Sequence, residues 1–120
     1  MAEIPKTRIF QVDDDPDYLK SMGDLFQVYD LDIVLTAGTV AQALSYIPTE
    51  LIKRKVNLAL IDGNLPDGTG DLIAAAIRKS RLPIGIIALS ANKQGFGDVN
   101  INKAGGPMPV IAAIENLTRT

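Results

Sequence analysis

The sequence predicts an α/β protein built on a parallel β-sheet, and three observations carry the prediction. Short apolar runs alternate with longer helical patterns along the whole chain. Two of those runs, Val56 to Asp62 and Pro83-IGIIAL-Ser90, are apolar almost throughout, as strands are when helices cover both faces of a sheet. At 120 residues, of which 47% are hydrophobic, the chain has the size and apolar content of one compact domain, 1–120.

Arg8-IFQV-Asp13 reads as the first strand. Asp15 then caps a helix with Pro16 at its first position, because proline has no amide proton to lose there. Leu19, Met22, Phe26 and Tyr29 fall at helical spacing and form its expected buried stripe. Asp32-IVLTA-Gly38 is the second strand, and Thr39 caps a helix to about Ile52 with Ala43, Leu44 and Ile47 inward. Pro48 bends or ends the regular part of that helix. Val56 to Asp62 is the third strand. A helix from Thr69 or Gly70 to about Ser80 buries Leu72, Ile73, Ala76 and Ile77. Pro83 to Ser90 is the fourth strand, Val99 to Asn102 a short fifth, and Met108 to Leu117 the last helix.

One connection departs from the pattern. Only the eight residues ANKQGFGD separate Ser90 from Val99, whereas a helical crossover takes about a dozen or more. The stretch has two glycines and no apolar periodicity. An extended crossover suffices, since eight residues reach ~27 Å. The helix between the fourth and fifth strands is therefore expected to be lost or reduced to a loop, leaving the sheet face beside it without its usual cover.

Composition excludes several classes of function. There is no Cys and hence no disulfide, thiolate metal site or thiol nucleophile. There is no His, which removes the Ser-His-Asp triad and histidine acid–base chemistry. A net charge of −2 gives no electrostatic footprint for nucleic acid. No apolar run approaches the ~20 residues of a membrane span, and MAEIPKTRIF lacks the apolar core of a signal peptide. A cytoplasmic protein is expected. The one basic cluster, Lys53-Arg54-Lys55, reads as a solvated helix end rather than an anion site.

The strand ends carry the chemistry. In open parallel α/β sheets ligands bind outside the carboxyl ends of the strands. Here the first strand ends at Asp13-Asp14, the third at Asp62 and the fourth at Ser90, while Lys103 comes directly after the fifth. A sheet order that brings these strands together makes the groups converge. Nearby carboxylates repel and call for a cation. Oxygen ligands suit Mg²⁺, which also neutralises an incoming phosphoryl group. An aspartate can itself take the phosphoryl group, and Asp62 stands between the metal acids and the Ser90–Lys103 pair. The Ser90 hydroxyl and the Lys103 ammonium suit phosphoryl oxygens.

Neighbouring residues have plainer readings. Asp15 is a helix cap, and Asp67 in NLPDGTG is a turn residue. Asn64 is either a turn residue or a carbonyl donor to the metal. Asp13, Asp15, Asp17 and Asp24 match EF-hand ligand positions, but Tyr18 stands where that loop needs Gly and Pro16 interrupts it. GNLPDGT has the glycine spacing of a phosphate-binding P-loop without its lysine.

With these motifs the sequence resembles a response-regulator receiver domain from about Arg8 to Leu117. IFQVDDDPDYL is similar to that family's first strand and acidic pair, LALIDGNLPDGTGDL to its phosphoacceptor strand and loop, and IIALSA to the strand with its switch hydroxyl. TAGTVAQAL resembles the second strand and helix, and Asn102-Lys103 the lysine strand. The resemblance implies a flavodoxin-like, doubly wound five-stranded sheet of order 2-1-3-4-5, an order of which a receiver is itself a known example. It implies that Asp62 accepts a phosphoryl group from the phosphohistidine of a sensor histidine kinase or histidine phosphotransfer protein. Mg²⁺ is then held by Asp14, Asp62 and the Asn64 backbone carbonyl, with Asp13 acting through water. Ser90 and Lys103 contact the phosphoryl group, and partners read a change of conformation. Such a domain is a signalling module, not an enzyme acting on a separate substrate.

Three departures stand out: the short ANKQGFGD connection, Asn100 where receivers commonly carry an aromatic, and Ala104 where they commonly carry proline after the lysine, often with a cis bond. All lie on the face receivers use for output. Phe96 is either a substitute aromatic or a loop-packing residue, Asn64 and Asn92 flank the site, and the uncovered face is expected to pair with a second copy or a partner. Two rivals remain. A pseudo-receiver binds partners without phosphorylation. A haloacid-dehalogenase-type phosphotransferase carries a second acid two residues after the nucleophile, where this chain has Asn64, and needs a cap domain for which there is no room.

Overall fold

The computed structural model describes residues 6–90 and 95–118. Five parallel strands, β1 (Arg8–Val12), β2 (Asp32–Ala37), β3 (Leu58–Asp62), β6 (Gly85–Ser90) and β7 (Val99–Asn102), form one sheet in the order β2-β1-β3-β6-β7. Two-residue strands β4 (Asn64–Leu65) and β5 (Gly68–Thr69) make an antiparallel hairpin after β3. With that hairpin set aside, this is the expected order 2-1-3-4-5. β3 is central and buried at all five positions, which is why its sequence is apolar on both faces.

Helices α1 (Pro16–Val28) and α5 (Met108–Thr118) cover one face of the sheet. Their Met22, Phe26, Val110, Ile111 and Ile114 pack on Ile9, Leu58, Leu60, Ile87 and Leu89. Helices α2 (Val40–Tyr46), α3 (Glu50–Lys53) and α4 (Gly70–Ser80) cover the other, packing on Phe10, Val12, Ala59, Ile61 and Ile86. Ile47, Pro48 and Thr49 separate α2 from α3, so the expected bend divides one helical pattern into two helices. Gln11 is fully buried on β1, and its amide finds no hydrogen-bond partner among the described residues.

Four expected core residues lie outside the core, the first being Leu19 of α1, which is only partly buried and joins neither core cluster. Tyr29 is the C-cap of α1, where the chain leaves the helical path, and it is exposed. Leu44 is exposed because α2 turns Val40 and Ala43 inward, with Ile47 next at the same spacing. Leu72 is half exposed because the buried stripe of α4 is Gly70, Ile73, Ala74 and Ile77, one i, i+3, i+4, i+7 series.

Of the connection between β6 and β7, Gly95–Asp98 are described and none is helical; Asn92 and the rest of residues 91–94 lie outside the described residues. The expected bare face is nevertheless covered. Phe96 packs against the α2–α4 core, and Ile86 and Ala88 beneath are buried. A Cβ on Gly97 would stand 2.6 Å from both the Ala88 nitrogen and the Val99 oxygen, so only glycine lets the chain pass this close to the sheet. Asn100, at the place of the expected aromatic, accepts from the Gly97 N–H at 3.0 Å and donates to the Gly97 carbonyl at 3.3 Å. Asp98 accepts from the Ile86 N–H at 2.8 Å and pairs with Arg78 of α4 at 3.3 Å. Among the described residues, no helix is long and apolar enough to cross a membrane.

Candidate functional site

The sheet order brings the ends of β1, β3, β6 and β7 together, and the expected acids meet there. The Asp13 N–H donates to the Ala37 carbonyl at 3.0 Å, extending the β1–β2 ladder by one residue and fixing where its carboxylate stands. The Asp13 carboxylate is buried, while Asp14 is exposed. Asp62 ends β3, is buried, and accepts from the Asn64 N–H at 3.1 Å. One carboxylate oxygen from each of Asp13, Asp14 and Asp62 lies within 4.8 Å of the others. Three carboxylates so placed are an oxygen-only donor set open to solvent on the Asp14 side, which fits Mg²⁺ in ligand type.

Lys103 completes the cluster. It comes after β7 in a single 3₁₀ turn (Lys103–Gly105), capped by the Asn102 side chain accepting from the Ala104 N–H at 2.9 Å. Its Nζ lies 2.5 Å from Asp13 Oδ2 and 3.3 Å from Asp62 Oδ2, and 4.2 Å from the centre of the Tyr18 ring. Lys103 thus faces two carboxylates and an aromatic face, all of which favour its positive charge. Burial opposes that charge, but the hydrogen bond to Asp13 and the fields of Asp13 and Asp62 outweigh it and raise its pKa. Burial pushes the Asp13 carboxyl above its ordinary value, only partly offset by Lys103 and the Asp15 N–H, which donates to it at 2.9 Å. Burial likewise raises the Tyr18 phenol.

Ser90 ends β6, buried, opposite Asn102 in the β6–β7 ladder. Asn64 is exposed at the start of the hairpin. The Asp15 side chain accepts from the N–H groups of Asp17 and Tyr18, the expected cap. Its second effect is to set the first turn of α1 so that Tyr18 reaches Lys103.

Two contributors escape a reading of local patterns. Tyr18 looks like one more helical residue, and only its place in the first turn after the acid pair hints at the site. Asp67 does more than turn the chain. Its carboxylate accepts from the Val40 N–H at 2.7 Å and the Ala41 N–H at 2.9 Å, capping α2 from 26 or more residues away. No local signal reveals that bond. It ties the loop after Asp62 to the neighbouring helix, and those N–H groups, Ala41 first, hold the Asp67 carboxyl below the usual carboxylate range. The loop is also closed by the Gly63 N–H donating to Leu89 and the Gly70 N–H to Gly63, at 2.8 and 3.1 Å.

Comparison with known proteins bears on the family and the fold. The family model described as "Response regulator receiver domain" matches residues 9–107. A receiver domain protein (CheY-like) from Methanospirillum hungatei superposes with a TM-score of 0.82 at 25% identity, over 95% of this chain and 94% of that one. A chain of the CheX–CheY–BeF3–Mg²⁺ complex from Borrelia burgdorferi gives 0.81 at 16% identity, over 95% and 90%. The BeF3-activated N-terminal receiver domain of RstA from Klebsiella pneumoniae gives 0.77 at 19% identity, over 95% and 100%. Among curated proteins no sequence matches.

Proposed function

The chain belongs to the response regulator receiver domain family, and on that premise we propose that it is a phosphoacceptor of a two-component phosphorelay. The observation that carries this reading is the cluster itself: three carboxylates within 4.8 Å of one another, with Lys103 bonded to Asp13 and Asp62. An Asp62 carboxylate oxygen attacks the phosphorus of a phosphohistidine on a sensor kinase or phosphotransfer protein. The oxygen–phosphorus bond forms, the phosphorus–nitrogen bond breaks, and the imidazole leaves with the electron pair and takes a proton from solvent. Asp13, Asp14 and Asp62, with the Asn64 backbone carbonyl, would hold Mg²⁺. When bound, that ion supplies positive charge for the transferring group. Lys103 gives up its bond to Asp62 for a phosphoryl oxygen while keeping Asp13, and the Ser90 hydroxyl donates to another phosphoryl oxygen. Tyr18 keeps the ammonium oriented through this exchange. A structural relative was solved in a complex that holds BeF3 and Mg²⁺, which supports Mg²⁺ as the ion of this reading.

The domain acts on itself and not as an enzyme on a separate substrate, and a cytoplasmic place fits the exchange with a kinase. Its output is carried by a partner that reads the β6–β7 side. Self-association there would rest on the edge of β7 and on polar Asn100 and Asn102, since Ile86 and Ala88 are already covered.

The test is intact mass after incubation with a small phosphodonor and Mg²⁺. One phosphoryl group is expected on the wild type and none on Asp62→Ala or without Mg²⁺. A folded wild type that gains nothing would overturn the reading in favour of a module that binds without phosphorylation.

A further inference from the structure

The sheet edge opposite Asp62 carries a second constellation. Helices α1, α3 and α4 all end there in a left-handed residue, and none of the three is glycine: Asp30 at φ 57°, Lys55 at φ 54° and Arg81 at φ 61°. Glycine is the default at such ends, because a side chain there crowds the backbone. Lys55 lines a concave pocket of about 290 Å³ with Leu51, Ile52, Val56 and Asn57 from one segment and Leu82, Pro83 and Ile84 from another, and Arg81 directly precedes Leu82 in the chain. Ile52 stands exposed at its rim.

Charge around the pocket is one-sided. Four acids of neighbouring segments are engaged: Asp30 with Lys6, Asp32 with Arg8, Glu50 with Arg54 and Asp98 with Arg78. Lys53, Lys55, Lys79 and Arg81 have no ion pair among the described residues. A mostly apolar hollow at the low end of ligand-pocket size, with Lys55 in its lining and Lys53 and Arg81 next in the chain to the lining residues Ile52 and Leu82, is complementary to one apolar side chain flanked by carboxylates.

We propose that this edge is a docking surface for an acidic peptide segment of a partner protein. One aliphatic or aromatic side chain enters between α3 and Leu82–Ile84, and the flanking carboxylates pair with Lys53, Lys55, Lys79 and Arg81. The Lys53-Arg54-Lys55 run is then more than a solvated helix end. Concavity favours a peptide over a bilayer, which takes up protruding apolar surface. The surface lies away from Asp62, so the proposal stands independently of phosphoryl chemistry.

The probe is a fluorescein-labelled nonapeptide of Glu and Asp with one central Phe, titrated into the full chain and followed by anisotropy. Saturable binding that weakens with salt is expected. Replacing the Phe by Ala is expected to weaken it about tenfold. The double variant Lys55→Gly/Arg81→Gly is expected to bind about tenfold more weakly. Its thermal midpoint should equal or exceed the wild type's, because glycine relieves both left-handed positions. Loss of binding then cannot be loss of fold. Equal binding by the double variant, equal binding of the Ala peptide, or binding to phosphatidylserine vesicles with none to the peptide would each overturn the proposal.

Discussion

The chain leaves two buried strand ends beside the site, through residues 63–70 after Asp62 and through the described residues 95–98 after Ser90, and the two passages use the same means. Each has a glycine against backbone. A Cβ on Gly70 would stand 2.3 Å from the Asp62 carbonyl oxygen, and one on Gly97 2.6 Å from the Ala88 nitrogen. Each has an aspartate that accepts from backbone N–H groups of another element, Asp67 from α2 and Asp98 from β6. They differ in the element they lead into. The first passage enters the eleven-residue helix α4; the second reaches β7 with no helix among its described residues. In the second passage Phe96 packs on the core cluster that includes Ile86, and Gly97 lies against Ala88, held by Asn100 and Asp98. The described part of this short connection satisfies its polar groups locally, and it uses the residue at the family's usual aromatic position to do it.

Glycine substitutions test the comparison hardest. Gly70→Ala is expected to destabilise by about 3 kcal/mol, the high end for overpacking, because the obstacle is the backbone of β3 and not a flexible side chain. Urea denaturation would measure it. Gly97→Ala is expected to cost about 2 kcal/mol, since an irregular connection yields more easily than a helix packed on a central strand. Equal losses would mean that the short connection is as rigid as the helical one.

Most of this architecture was legible in the sequence. The five strands, the caps at Asp15 and Thr39, and the Pro48 break rest on periodicity and cap chemistry, which act within a few residues. The strand-end acids were legible because β3 has no other reason to finish on a buried carboxylate. Longer-range relations were not. Leu44 and Leu72 are apolar and near the right phase, and only packing shows that α2 and α4 turn them outward. Asp67 presents itself as turn chemistry because its partners, Val40 and Ala41, belong to another helix. The burial of Ile86 and Ala88 is a related case: an eight-residue connection without apolar periodicity gives no hint of a phenylalanine packed on the core and a glycine set against Ala88.

The two aspartates give a finer test. Asp98→Ala leaves the Ile86 N–H without its partner in a part-buried position and is expected to cost about 1–2 kcal/mol. The Arg78 pair adds little, because both side chains are nearly half exposed. Arg78→Ala alone should therefore change the urea midpoint much less than Asp98→Ala does. If it changes it as much, the ion pair rather than the bond to β6 holds the connection.

Asp67 should show the smallest effect and a dependence on pH. Its two N–H donors hold the folded-state pKa below the unfolded value of about 3.9. A depressed carboxyl contributes stability that is present above the unfolded pKa and is lost as pH falls through the lower, folded one. Asp67→Asn removes the charge and one strong acceptor, so the variant should be less stable than wild type at pH 7. The gap should close as pH is lowered from about 4 through the folded value, as the wild-type carboxyl takes up its proton. Urea midpoints at pH 7, 4 and 3 would track it. A gap that stays constant with pH would mean that Asp67 holds α2 by the shape of its turn, and the parallel between the two passages would then stop at their glycines.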